Sequence, residues 1–111
     1  MLVVNVFLGF VTSPTAAAEV DGTYTGTMKL VRDASGKNRC PTDAPMTVTV
    51  KDGKFTTSWR RQPGEVTLNP DGTFKSKISG ADISGQIREE SFETDFSDGT
   101  CTYHWSLKRQ P

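Results

Sequence analysis

The stretch Val48-Thr49-Val50-Lys51-Asp52-Gly53-Lys54-Phe55-Thr56 reads as two alternating runs around an Asp-Gly pair. Asp-Gly in this setting is a strong hairpin signal, because a type I′ turn needs positive φ at both central residues. The pair recurs at Asp21-Gly22, Asp71-Gly72 and Asp98-Gly99. After three of these pairs the next residue but one is aromatic: Tyr24, Phe55 and Phe74. The repetition predicts a meander of short antiparallel strands.

Working outward with a period of two, eight runs emerge: 20–30, 46–50, 55–59, 66–68, 74–78, 83–87, 92–96 and 101–107. Strict alternation predicts half-buried strands, and no stretch has helical periodicity. Residues 31–44 read as a long loop rich in Asp, Gly, Asn and Pro. The turns predict registers. Asp52-Gly53 pairs Val50 with Phe55, and Asn69–Gly72 pairs Leu68 with Phe74. Gly80-Ala81 as a type II′ turn pairs Ile78 with Ile83. Glu89-Glu90 pairs Ile87 with Phe92. Asp98-Gly99 pairs Phe96 with Cys101, Phe92 with Trp105 and Glu93 with His104. Arg60 is expected opposite Glu65, beside Trp59 and Val66.

Eight sequential strands with bare edges invite aggregation. The expected fold is therefore all-β: an eight-stranded antiparallel up-and-down meander closed into a small barrel. Closure makes the first and last strands neighbours, with Cys40 and Cys101 at the same end of one seam. The expected disulfide closes a loop of about 60 residues and is worth about 4 kcal/mol by chain entropy. Reduced, buried thiols are the alternative.

The 111 residues carry 13 basic and 13 acidic side chains. Zero net charge without a basic stripe excludes nucleic acid as an expected partner. Residues 1–18 read as a signal peptide: an apolar run from Leu2 to Val11, a break at Ser13-Pro14, and Ala16-Ala17-Ala18 before Glu19. No Lys or Arg precedes the run, which a recorded start downstream of the true one would explain; an apolar N-terminal strand is the competing reading. The run is too short to span a membrane. Residues 19–111 are then a single β-barrel domain, secreted or periplasmic, and expected to be monomeric.

No nucleophile, base and orienting group come together, so no catalytic residue, metal or cofactor is expected and the protein reads as a non-enzyme. Its function is expected to be binding, by one of two routes. In the first, a small, partly apolar molecule sits inside. The expected registers place Trp59, Val66, Ser76, Gly85, Thr94 and Tyr103 in one interior row, and Tyr24, Trp59, Ser76, Thr94 and Tyr103 would line the pocket. A barrel filled by its own side chains is the competing reading. In the second, the loops at one end, with Arg39, Arg60 and Arg61, hold an envelope protein. An envelope structural or stress protein without a specific ligand is the alternative to both. His104 opposite Glu93 reads as an exposed cross-strand pair.

Three motifs carry a resemblance: D-G-T-Y-x-G from Asp21, V-x-V-K-D-G-K-F from Val48 and C-T-Y-x-W-S-L-x-R from Cys101. Together they resemble small exported β-barrel domains of alphaproteobacteria, a group that brings no assigned activity. More loosely, the architecture is similar to calycin-like barrels: avidins, lipocalins and periplasmic inhibitors of proteases and lysozymes. Neither the avidin biotin-site motif nor the lipocalin G-x-W signature is present, so the resemblance implies a fold and not a ligand.

Overall fold

The computed structural model describes residues 19–111, so the expected signal peptide over residues 1–18 lies outside the described residues. Eight strands follow in order: β1 (Gly22–Asp33), β2 (Ala44–Val50), β3 (Lys54–Trp59), β4 (Gln62–Thr67), β5 (Thr73–Ile78), β6 (Ala81–Arg88), β7 (Ser91–Ser97) and β8 (Cys101–Arg109). All paired strands are antiparallel. Alternation sets burial as a pleated strand requires. In β8, Cys101, Tyr103, Trp105 and Leu107 are buried while Thr102, His104 and Ser106 face outward.

Six strands form one sheet in the order β2-β1-β8-β7-β6-β5, and β3 pairs with β4 as a separate ribbon. The first and last strands are neighbours, and the Cys40–Cys101 disulfide is formed with its Cα atoms 5.5 Å apart. The ribbon lies over the sheet. Phe55 packs edge-on against Phe74 and Phe92, each with centroids 5.2 Å away, and Trp59 stands 5.0 Å from Phe96. The core holds this aromatic layer together with buried aliphatic residues such as Val50, Val66, Ile83, Ile87 and Leu107.

The ladders do not run round into the expected closed barrel. β2 and β3 share one bridge, Lys51 with Lys54, and β4 and β5 share none. A proline stands near the loop-bearing end of each open edge. Lys51 and Lys54 exchange both backbone bonds, so residues 49, 47 and 45 also aim their backbone groups toward β3. Pro45 stands in that series with no N–H to donate. Trp59 pairs with Gln62 across the Arg60-Arg61 turn, so Pro63 aims its backbone away from β3 and toward β5. Proline is confined to sheet edges for this reason.

The turns at Asp52-Gly53 and Glu89-Glu90 form as expected, with Ile87 opposite Phe92. So does the Asn69–Gly72 turn, closed by the Gly72 amide on the Asn69 carbonyl at 2.9 Å. Three registers are corrected. Ile78 faces Ala81, not Ile83, because Ser79 and Gly80 both take positive φ and build a type I′ turn. Phe96 faces Tyr103 and Phe92 faces Leu107, because the Asp98 carboxylate caps the Thr100 and Cys101 amides and widens the loop. Phe55, not Trp59, faces Val66, and Glu65 faces Thr56 while Arg60 lies in the turn. Each shift is even, so every side chain keeps its face.

The interior row changes with the registers. Gly85 lies between Phe74 and Thr94, and Thr94 faces Trp105. Ser76 belongs to the next row, beside Ile83, Phe96 and Tyr103. The expected contiguous wall of hydroxyls is not formed.

Candidate functional site

Tyr24, Thr94 and Tyr103 are buried, and Trp59 and Ser76 are half-buried. The phenols are already engaged: Tyr24 donates to the Val20 carbonyl at 2.6 Å and Tyr103 to the Pro41 carbonyl at 2.8 Å. Burial raises the pKa of both. Space over Gly85 is taken. A Cβ there would collide with the Glu93 carbonyl and lie 3.0 Å from Phe74 Cζ. Among the described residues, two interior side-chain polar atoms have no partner: Thr94 Oγ1 and Trp105 Nε1.

A different constellation forms at the end where the disulfide lies. Asp98 is its hub. One carboxylate oxygen accepts from the Thr100 and Cys101 amides at 2.9 and 2.8 Å. The other accepts from Trp59 Nε1 at 3.1 Å and from the Arg60 guanidinium at 3.3 Å. Burial pushes the Asp98 carboxyl up, but the Cys101 and Thr100 amides, Arg60 and Trp59 outweigh it and hold the pKa below the ordinary value. Asp98 thereby ties the ribbon to the β7–β8 loop. The disulfide, the Tyr103–Pro41 bond and the Ala34 amide on the Thr100 carbonyl at 2.8 Å tie the 34–43 loop to the same place.

Three segments thus meet at one end and carry the expected Arg39, Arg60 and Arg61, all exposed. Arg60 stacks on Trp59, its guanidinium carbon 5.3 Å from the ring centroid. Arg60 and Arg61 have φ of 54° and 69°. A type I′ turn favours Asn-Gly, so two arginines here hold a conformation costing about 1–2 kcal/mol for each residue. Such strain gathers at functional sites.

Sequence reasoning missed Val31. The register of β1 on β8 shifts between Leu30 and Arg32, and the bulge turns Val31 outward with 63% of its surface exposed. It is the one large hydrophobic side chain so exposed among the described residues. The broken alternation at Leu30-Val31 was the signal, since bulges re-aim side chains.

His104 faces Asp95, not Glu93, yet both carboxylates hold it. Nδ1 lies 3.0 Å from Asp95 and Nε2 2.8 Å from Glu93. Hydrogen bonds to Asp95 and then Glu93 raise the imidazole pKa. The Ser106 hydroxyl donates to Glu93 at 2.9 Å, leaving it paired with an acid rather than with the imidazole.

A concavity of about 440 Å³ lies on the outer surface where β2 and β3 part, lined by Thr49, Lys51, Lys54, Thr56 and Glu65 among others. No group of His, Cys, Asp and Glu among the described residues is arranged to hold a metal ion, and no described helix is long and apolar enough to cross a membrane. No protein-family model, curated protein or solved structure matches this chain.

Proposed function

We propose that the protein is an exported, non-catalytic binding module that holds a protein partner through its loop-bearing end. The observation carrying this reading is the strained Arg60-Arg61 turn, fixed by Asp98 and standing over a disulfide-pinned rim. Strain of this kind persists where surrounding structure over-determines it and function uses it. Arg39 and Arg61 present charge, and Val31, near the disulfide end of β1, adds an exposed apolar side chain. The aromatic packing over Gly85 supports a rim partner over an interior guest. In this reading the eight strands make a calycin-like barrel, its two open seams completed by side-chain packing.

The test replaces Arg60-Arg61 by Asn-Gly, the pair such a turn prefers. Thermal melting should hold or rise, while capture of partners from envelope extract, read by native mass spectrometry, should fall. Lys108→Glu at the opposite end should leave capture unchanged. Unaltered capture by the Asn-Gly protein would remove the rim from the function and leave an envelope structural role.

A second reading rests on Thr94 Oγ1 and Trp105 Nε1. Two unpartnered polar atoms on facing residues suit a small polar guest inside. Soaking with small alcohols and following the Trp105 indole proton by NMR tests it: a saturable shift supports the guest.

A further inference from the structure

We infer that the open seam between β2 and β3 is a strand-addition site for a short extended peptide, a surface separate from the arginine rim. The seam begins at the Lys51–Lys54 bridge and runs toward the loop-bearing end. The exchange of both bonds at that bridge fixes backbone direction on each side. Thr47 and Thr49 aim their N–H and C=O groups across the seam from β2, and Thr56 and Ser58 do so from β3. Thr49 pairs with Thr23 on the other side as a close, non-hydrogen-bonded pair, their hydroxyls 3.2 Å apart, as this direction requires.

No ladder joins these groups across the seam, and the concavity of about 440 Å³ opens there. Unpaired edge groups are a template for another strand, whose backbone supplies the affinity. The turn at the closed end is clasped by a side chain. The Asp21 carboxylate accepts from the Asp52 amide at 2.7 Å and from the Gly53 amide at 3.0 Å.

The occupant is a short peptide rather than a second copy. Pro45 ends the donor series on β2, and the Lys51 bridge closes its other end. The stretch between them spans about 20 Å, far less than the continuous edge a stable dimer pairs. Its lining holds Lys51 and Lys54 against Asp52 and Glu65, so no net field selects a charged ligand. The peptide is therefore extended, uncharged and read mainly through its backbone. The second seam differs: Pro63 interrupts the β4 edge, and Lys75 and Lys77 stand exposed along the β5 edge, a common protection against added strands.

The probe is acetyl-Thr-Val-Thr-Val-Thr-amide, added to the full, oxidised, ¹⁵N-labelled protein. Its twin, N-methylated at alternate residues, keeps the side chains and loses the donors. The parent peptide should shift the Thr49 and Thr56 amides and slow their exchange about tenfold. The twin should do neither. Thr49→Pro should abolish the effect, and the comparison of the two peptides decides the matter even if that variant fails to fold. Silence at millimolar peptide, or an equal effect from the twin, overturns the proposal. So does slowed exchange that rises with protein concentration alone, which would make the occupant a second copy.

Discussion

Asp98 gathers more fixed donors than any other side chain at the loop-bearing end, and it is charged and largely buried. Asp98→Asn should cost about 2 kcal/mol, the scale of hydrogen bonds to a charged group, read as a lower denaturation midpoint. Its depressed pKa gives the pH sign. A carboxyl lowered on folding contributes stability that is present above its unfolded value and lost as pH falls through the folded one. The acid limb of the melting profile, below about pH 4, should therefore flatten in Asp98→Asn. His104 works the other way. Its two nitrogens both face carboxylates, and only the imidazolium donates from both. A raised pKa contributes stability that is present below the unfolded value of about 6.5 and lost as pH rises through the folded one. The ring is 40% exposed, so the contribution is well under 1 kcal/mol. Thermal melts should show a small loss above neutral pH in the parent protein, and none in His104→Ala.

At the scale of the element, β8 sets two neighbours on opposite faces. Trp105 is buried against Phe92 and Phe96, while His104 lies outside. Trp105→Ala should cost about 3–5 kcal/mol through lost burial and a cavity, several times the cost of His104→Ala in the same melts. A reversed order would invert the strand. The faces of all eight strands were legible in the sequence because period two is set by apolar alternation, which survives any even slip. The registers were less legible. Ser79 in a left-handed conformation and the Asp98 cap belong to turn chemistry that competes with simple Asp-Gly and Gly-Ala patterns. The open edges of β2 and β4 were not legible, because alternation sets faces and not which strands pair; Pro45 and Pro63 mark only one end of each. Of the candidate site, the three arginines and the disulfide were legible from composition and topology. The Asp98 hub was not, because two of its four partners, Arg60 and Trp59, sit 38 and 39 residues away in sequence.

For the whole molecule, two seams without ladders mean that backbone bonds alone do not fasten ribbon to sheet. The aromatic layer, the Asp98 contacts, the Asp21 clasp on the β2–β3 turn and the disulfide share that task. The Cys40–Cys101 bridge spans 61 residues, so its loss in a Cys40→Ser/Cys101→Ser protein should cost about 4 kcal/mol. That is a large share of the net stability of about 5–15 kcal/mol typical of a domain. The cost acts through two channels that measurement can part. Release of the unfolded chain lowers the denaturation midpoint without touching native exchange rates. Release of the 34–43 loop from β8 is a native-state event, and speeds exchange at the Ala34 and Cys101 amides while the β6–β7 ladder stays protected. Both should be seen, because the bridge pins a loop as well as closing a chain. If the midpoint fell while those amides kept their protection, the Tyr103–Pro41 and Ala34–Thr100 bonds would suffice to hold the rim, and a reducing environment would leave the loop-bearing end intact.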